Sequence, residues 1–182
     1  MEFIPTDIPD VIMIKPRVFG DGRGFFMETW EQHKFAEAGL ACQFVQDNHS
    51  RSAKHTLRGL HYQILQPQGK LVRVVMGEVF DVVVDLRRSS RTFGKWVGTT
   101  LSAENKQQLW VPPGFAHGFL ALSETVDFVY KCTDYYAPQH ERTLLWNDPQ
   151  LGIEWPLSPS QAPVLSGKDK TGKRLRDVET YS

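Results

Sequence analysis

The middle of the chain alternates apolar and polar side chains with a period of two, the repeat of strands half-buried in a sheet. LRGLHYQI, KLVRVVM, EVFDVVVDL, WVGTTLS, QQLWVP, HGFLAL and TVDFVYKCT are short and rich in Val, Phe, Tyr, Trp and Thr, which suit a pleated surface. Between them lie QPQG, MGE, RSSRTFG, AENK, PPG and LSE, segments carrying turn residues such as Gly, Pro, Asn and Ser. Many short strands at this spacing predict a sandwich or barrel. WEQHKFAEAG, stopped by Gly39, reads as a helix, and RLRDVETY near the C-terminus as a weaker one. No repeat, low-complexity tract or linker interrupts the pattern, so residues 1–182 are expected to form one all-β domain with small helical attachments.

The turns suggest which strands meet. A hairpin tip at Ser123 and Glu124 would pair Ala121 with Val126, Phe119 with Phe128 and His117 with Tyr130. His117, Phe119, Phe128 and Tyr130 would then share one face, aromatic with a polar end, as suits a pocket wall. QPQG closes a second expected hairpin, with His61 and Lys70 on neighbouring strands. The polar run Gln46-Asp47-Asn48-His49-Ser50 reads as a loop.

LRGLHYQ, residues 57–63, is the stretch that does not fit a plain core strand. Leu57, Leu60 and Tyr62 suit burial, yet a guanidinium among them needs a partner or a ligand. Arg58 and His61 have opposite strand parity, and a regular strand would point them apart. Gly59 between them predicts a bulge that re-aims both toward one site.

Composition narrows the function. Hydrophobic residues make up 41% and charged residues 23% of the chain, as in ordinary globular proteins. Twenty-one basic residues balance twenty-one acidic ones, so the formal net charge is zero. A duplex nucleic-acid binder would need a basic surface, and that class is excluded. Any anionic ligand must be met by a local cluster of Arg and Lys. Cys42 and Cys132 form no CxxC pair and read as reduced thiols. The N-terminal MEFIPTDIPDVIMIK lacks the positive start and apolar run of a secretory signal. With no apolar segment near the ~20 residues of a membrane helix, a cytoplasmic protein without membrane association is expected.

Three motifs bear on chemistry. Pro112-Pro113-Gly114-Phe115-Ala116-His117 fits P-x-G-x-x-H and resembles the second motif of the cupins, jelly-roll proteins also called double-stranded β-helices. Metal-binding cupins supply H-x-H in their first motif, whereas this chain has His61-Tyr62-Gln63. His61 and His117 leave too few ligands for a usual catalytic metal, so the cupin shape is expected without the metal. A histidine, a lysine and a tyrosine lining one apolar cavity are instead the parts for removing a proton alpha to a ketone. Gly20-Asp21-Gly22-Arg23-Gly24-Phe25-Phe26, followed by Glu28, lacks the strand-to-helix setting of a dinucleotide fingerprint and reads first as a glycine-rich turn.

FVQDNHSRS, LRGLHYQ, GKLVRVVMGEVFDVVVDLR, SRTFGKW, WVPPGFAHGFLAL, VYKCTDYYAP and DPQLGIEWP, in that order, closely resemble the dTDP-4-dehydrorhamnose 3,5-epimerase family, from about Lys15 to Lys170. The resemblance implies a jelly roll working as a homodimer without metal or organic cofactor. It implies inversion of carbons 3 and 5 of a dTDP-linked 4-keto-6-deoxyhexose, on the route to dTDP-L-rhamnose. By motif, His61 is the base, Asp169 its orienting carboxylate, Lys70 the group at the keto oxygen and Tyr130 the acid on the opposite face of the ring. Arg23, Glu28, Gln46, Asp47, Asn48, Arg58, His117, Glu141 and Lys168 match positions that hold the nucleotide sugar, and Tyr136 matches the residue that stacks on thymine. Members that invert only carbon 3 carry much the same set. A single-centre epimerase or ketoisomerase is therefore the alternative enzyme, and a non-catalytic sugar-binding jelly roll the alternative of another class.

Overall fold

The structure, a computed structural model, describes residues 1–182. Two antiparallel sheets face each other. One contains six strands, and in spatial order they are β1 (Glu2–Pro5), β2 (Ile12–Lys15), β10 (Gln108–Val111), β7 (Lys70–Met76), β12 (Thr125–Cys132) and β5 (Gln46–Ala53). The other contains five, β13 (Glu141–Thr143), β6 (Leu57–Gln63), β11 (Phe115–Ala121), β8 (Glu78–Asp85) and β9 (Trp96–Ser102). A separate exposed hairpin joins β3 (Val18–Asp21) to β4 (Gly24–Met27). The strand pattern predicts a sandwich or barrel, and the architecture observed is the cupin-like jelly roll expected from the Pro112–His117 motif and the family resemblance.

Alternation explains the layers. Val72, Val74, Val126 and Phe128 from the six-stranded sheet meet Val79, Val83, Leu101, Phe115 and Phe119 from the other, forming the core between the sheets. The reverse face of the five-stranded sheet buries Leu60, Tyr62, Val82 and Val84 under Leu144, Leu151, Leu175 and Val178. The reverse face of the six-stranded sheet buries Ile14, Leu71 and Trp110 against Phe35 of α1 (Gln32–Glu37). Glu31 caps that helix by accepting from the His33 and Lys34 N–H groups, and Gly39, at φ +83°, turns the chain after it.

Both expected hairpins are corrected. β11 pairs with β6 and β8, while β12 pairs with β5 and β7. Their strands therefore belong to different sheets, as do β6 and β7. In a jelly roll the turn carries the chain across the sandwich rather than back along the same sheet. The shared face survives in another form, because Phe119 and Phe128 stack across the interior with ring centroids 4.3 Å apart. The run from Gln46 is an eight-residue strand, not a loop. RLRDVETY forms only a short 3-10 turn at Leu175–Asp177, while the four-residue α2 (Gly167–Lys170) lies just before it.

Candidate active site

The bulge at Gly59 is present. Opposite β11, His117 aligns with His61 and Phe119 with Arg58, so β6 carries one extra residue across that interval. Gly59 has φ +126°, a conformation open to glycine alone. A Cβ there would stand 2.6 Å from Gly118 Cα and 2.8 Å from the His117 carbonyl oxygen. Gly118 is equally constrained, since a Cβ on it would lie 2.5 Å from the Arg58 carbonyl oxygen. Two glycines thus let the strands close around an irregularity that turns Arg58 and His61 to the same side.

That side is a cavity of about 390 Å³ at the open end of the sandwich. Its wall includes Gln46 and Asn48 from β5, Arg58 and His61 from β6, Lys70 from β7, His117 from β11 and Tyr130 from β12. Tyr136, Glu141, Lys168 and Asp169 complete the expected set at the rim and over the base. His61 thus stands on one sheet, with Lys70 and Tyr130 on the sheet facing it.

His61 Nε2 and Asp169 Oδ1 are 2.6 Å apart. Oδ1 also accepts from the Gly59 N–H at 3.2 Å, and Oδ2 accepts from the Ser166 hydroxyl at 2.5 Å. Burial pushes the Asp169 pKa up, but the hydrogen bonds from His61, Ser166 and Gly59 outweigh it and hold the carboxyl at about 2. An ionised Asp169 makes Nε2 the protonated nitrogen and leaves the lone pair on Nδ1, the tautomer a base requires. Burial lowers the His61 pKa, helped by Lys168 and Lys70 and opposed by Asp169. The free base therefore persists below the ordinary histidine range.

Burial also lowers the Lys70 pKa, with Cys132, Glu141 and Asp81 pulling the other way. Burial pushes the Tyr130 phenol up to about 12, so its proton stays in place through the neutral range. His117 is fixed by Asp81, both of whose carboxylate oxygens lie 2.9–3.0 Å from His117 Nε2. At the mouth, Glu141 accepts from Lys168 Nζ at 2.8 Å and 2.9 Å and from the Tyr136 hydroxyl at 3.2 Å. Arg58 is held by Ser52 Oγ and the Arg51 carbonyl.

Three expected residues lie outside this cavity. Asp47 alternates with Gln46 and Asn48, so strand parity turns it to the outer face, where Lys131 pairs with it at 2.9 Å. Arg23 sits at the tip of the β3–β4 hairpin, 92% exposed and paired with Asp21 at 2.6 Å. Glu28 pairs with Lys34 at 2.6 Å on the same peripheral segment. Sequence reading missed Ser50, Gln68 and Ser166 in the lining, and Asp81 beneath His117. Only Ser166 left a usable trace: Ser166-x-x-Asp169 has the spacing of a helix capping box, and both its hydrogen bonds form. No group of three or more His, Cys, Asp or Glu side chains is arranged to hold a metal ion.

A cupin-like jelly roll whose cavity holds a histidine–carboxylate dyad, a lysine and a tyrosine has the side chains of an acid–base enzyme site. A family model described as dTDP-4-dehydrorhamnose 3,5-epimerase matches residues 5–177. The chain is 63% identical over 175 residues to the dTDP-4-dehydrorhamnose 3,5-epimerase of Pseudomonas aeruginosa, covering 96% of each protein. It superposes with TM-score 0.94 and 52% identity on the dTDP-6-deoxy-D-glucose-3,5-epimerase of Legionella pneumophila in complex with dTDP-4-keto-L-rhamnose, covering 98% of this chain and 94% of that one. A 3'-monoepimerase from Streptomyces bikiniensis, solved with dTDP-quinovose, gives TM-score 0.88 and 33% identity, over 94% of this chain and 87% of that one. The chain belongs to the dTDP-4-dehydrorhamnose 3,5-epimerase family, whose activity makes it an isomerase.

Proposed function

We propose that this chain inverts carbons 3 and 5 of dTDP-4-dehydro-6-deoxy-D-glucose, giving dTDP-4-dehydro-L-rhamnose. The observation carrying the reading is the placement of an oriented base and a protonated phenol on facing sheets of one cavity. Both carbons flank the carbon 4 ketone, so one base and one cation can serve each in turn. His61 Nδ1 removes the hydrogen, and the bonding electrons move onto the keto oxygen as an enolate. Lys70, whose backbone is held in β7 while its ammonium reaches the cavity wall without an ion-pair partner, supplies positive charge to that oxygen. Tyr130 then delivers its proton to the other face of the same carbon. Each inversion leaves an imidazolium and a phenolate, and a proton must pass from one to the other through solvent before the second centre reacts.

Arg58 and Lys168 supply the local cationic cluster that a diphosphate requires on a chain without net charge. Tyr136, half exposed at the rim, offers a flat face for the thymine. The exposed β3–β4 hairpin, with Phe19, Phe25 and Phe26 at 50%, 61% and 69% exposure, suits a homodimer in which Arg23 and Glu28 reach the partner's cavity. The proposed setting is the cytoplasm; no helix is long and apolar enough to cross a membrane.

The test is incubation with the 4-keto sugar nucleotide in heavy water, followed by proton NMR. Loss of signal at both carbons supports the reading. Loss at carbon 3 alone makes the chain a single-centre epimerase, and loss at neither makes it a binding protein.

A further inference from the structure

The Asp169 carboxylate accepts from four groups, and two of them, both on Ser166, belong to neither the dyad nor β6. Ser166 places its hydroxyl 2.5 Å from Oδ2, and its own N–H lies 3.3 Å from the same oxygen. The opposite oxygen is left for His61 Nε2 and the Gly59 N–H. Ser166 sits on a segment tied to the five-stranded sheet at both ends, through Val164 beside Thr56 and Lys173 beside Leu144. The segment is otherwise short of regular structure, with α2 only four residues long. Without a second anchor the carboxylate would be free to rotate about its own side chain while still touching the imidazole.

We infer that Ser166 is a positioning residue for catalysis: its hydroxyl locks the rotation of the Asp169 carboxylate and draws off part of its charge, and so sets both the aim and the basicity of His61. This rests on the proposed role of His61 as base. Two physical effects follow from the geometry. A carboxylate with one oxygen saturated by a hydroxyl can present only the other to the ring, so the imidazole is held in one plane. A hydroxyl donating to Oδ2 also shares the negative charge that would otherwise stabilise the imidazolium. Removing that hydroxyl therefore makes His61 easier to protonate and less well aimed.

Ser166→Gly separates this role from simple helix capping, because glycine is nearly as good an N-cap as serine yet has no hydroxyl. We expect kcat for the epimerisation to fall about 10- to 100-fold, the usual effect of a misaimed catalytic group, with KM within about twofold. The acid limb of the kcat/KM profile should move to higher pH by about half a unit, the influence of one neutral hydrogen bond, and the His61 ring titration, followed by NMR on the free protein, should move with it. The other titratable or charged groups lining the cavity with His61 and Asp169 are Arg58 on β6, Lys70 on β7, His117 on β11, Tyr130 on β12, Tyr136, Glu141 on β13 and Lys168 on α2, and all are retained. Ser166→Thr, which keeps a hydroxyl, should restore both the rate and the limb. A Ser166→Gly protein with unaltered kcat and an unmoved His61 titration overturns the inference while the epimerase reading stands. A loss of rate matched by a fall in melting temperature, with the titration unmoved, also overturns it. If the unsubstituted chain exchanges neither hydrogen, the epimerase reading fails, and the inference falls with it.

Discussion

Gly59→Ala should damage both stability and catalysis. Alanine at φ +126° is forced into a region L-residues avoid, a strain of about 1–3 kcal/mol. Its methyl carbon would also stand 2.6 Å from Gly118 Cα and 2.8 Å from the His117 carbonyl. Both contacts are backbone atoms of β11, a strand held on its far side by β8. No flexible side chain can swing aside, so relief must come from moving one strand, at about 1–3 kcal/mol. The sum, about 2–6 kcal/mol, is a large share of the roughly 5–15 kcal/mol that keeps a domain folded. For a chain of this size each kcal/mol lowers Tm by about 2–4 °C, so calorimetry at fixed protein concentration should show a fall of at least about 4 °C. The displaced β6 would also carry Arg58 and His61 away from their common side, so kcat/KM should fall by about 100-fold or more. A Gly59→Ala protein that melts within about 2 °C of the unsubstituted chain and turns over normally would refute the claim that the bulge shapes the site.

His61→Ala should reduce turnover by at least about 100- to 10,000-fold while calorimetric binding of the nucleotide sugar persists; a rate near normal would remove His61 from the role of base. Tyr130→Phe should leave hydrogen exchange with heavy water running after epimerisation has stopped, and parallel loss of both would show that Tyr130 is not the separate acid. The pH–rate profile has a defined sign on each side. On the proposed mechanism His61 must be unprotonated, and burial lowers its pKa, so the acid limb should lie below the ordinary histidine range. The same mechanism works best with Lys70 charged and Tyr130 protonated. Burial lowers the Lys70 pKa and raises that of Tyr130 to about 12, so the alkaline limb should belong to Lys70 and vanish in Lys70→Gln. Dialysis against a chelator should leave the rate unchanged, checked by assay before and after, since no cluster of side chains is arranged to hold an ion.

The strands of the core were legible because one of their faces is apolar and the other is not, as in KLVRVVM and TVDFVYKCT. β5 was not, because both its faces are polar: Gln46, Asn48 and Ser50 meet the cavity and Asp47, His49 and Arg51 meet solvent. Alternation distinguishes in from out only where the inside is dry. Strand partners were not legible either. A turn such as QPQG looks the same whether it folds a chain back on itself or carries it across to the facing sheet, and only the packing of the whole sandwich decides. The bulge could be anticipated from Arg58 and His61, whose parity conflicts with a shared role unless a residue is inserted between them. Asp81 gave no sign at all, being one acidic residue in a run of valines until the fold sets it beneath His117.

The stacked pair Phe119 and Phe128 bridges the two sheets just inside the cavity mouth, with His117 and Tyr130 as its neighbours. The thickness of these rings spaces the two walls, and on the proposed mechanism that spacing separates the group that takes a hydrogen from the group that returns one. Trimming either ring would let the gap narrow without touching a reacting group. Under that mechanism, the aromatic filling bears on the stereochemical outcome more than on affinity.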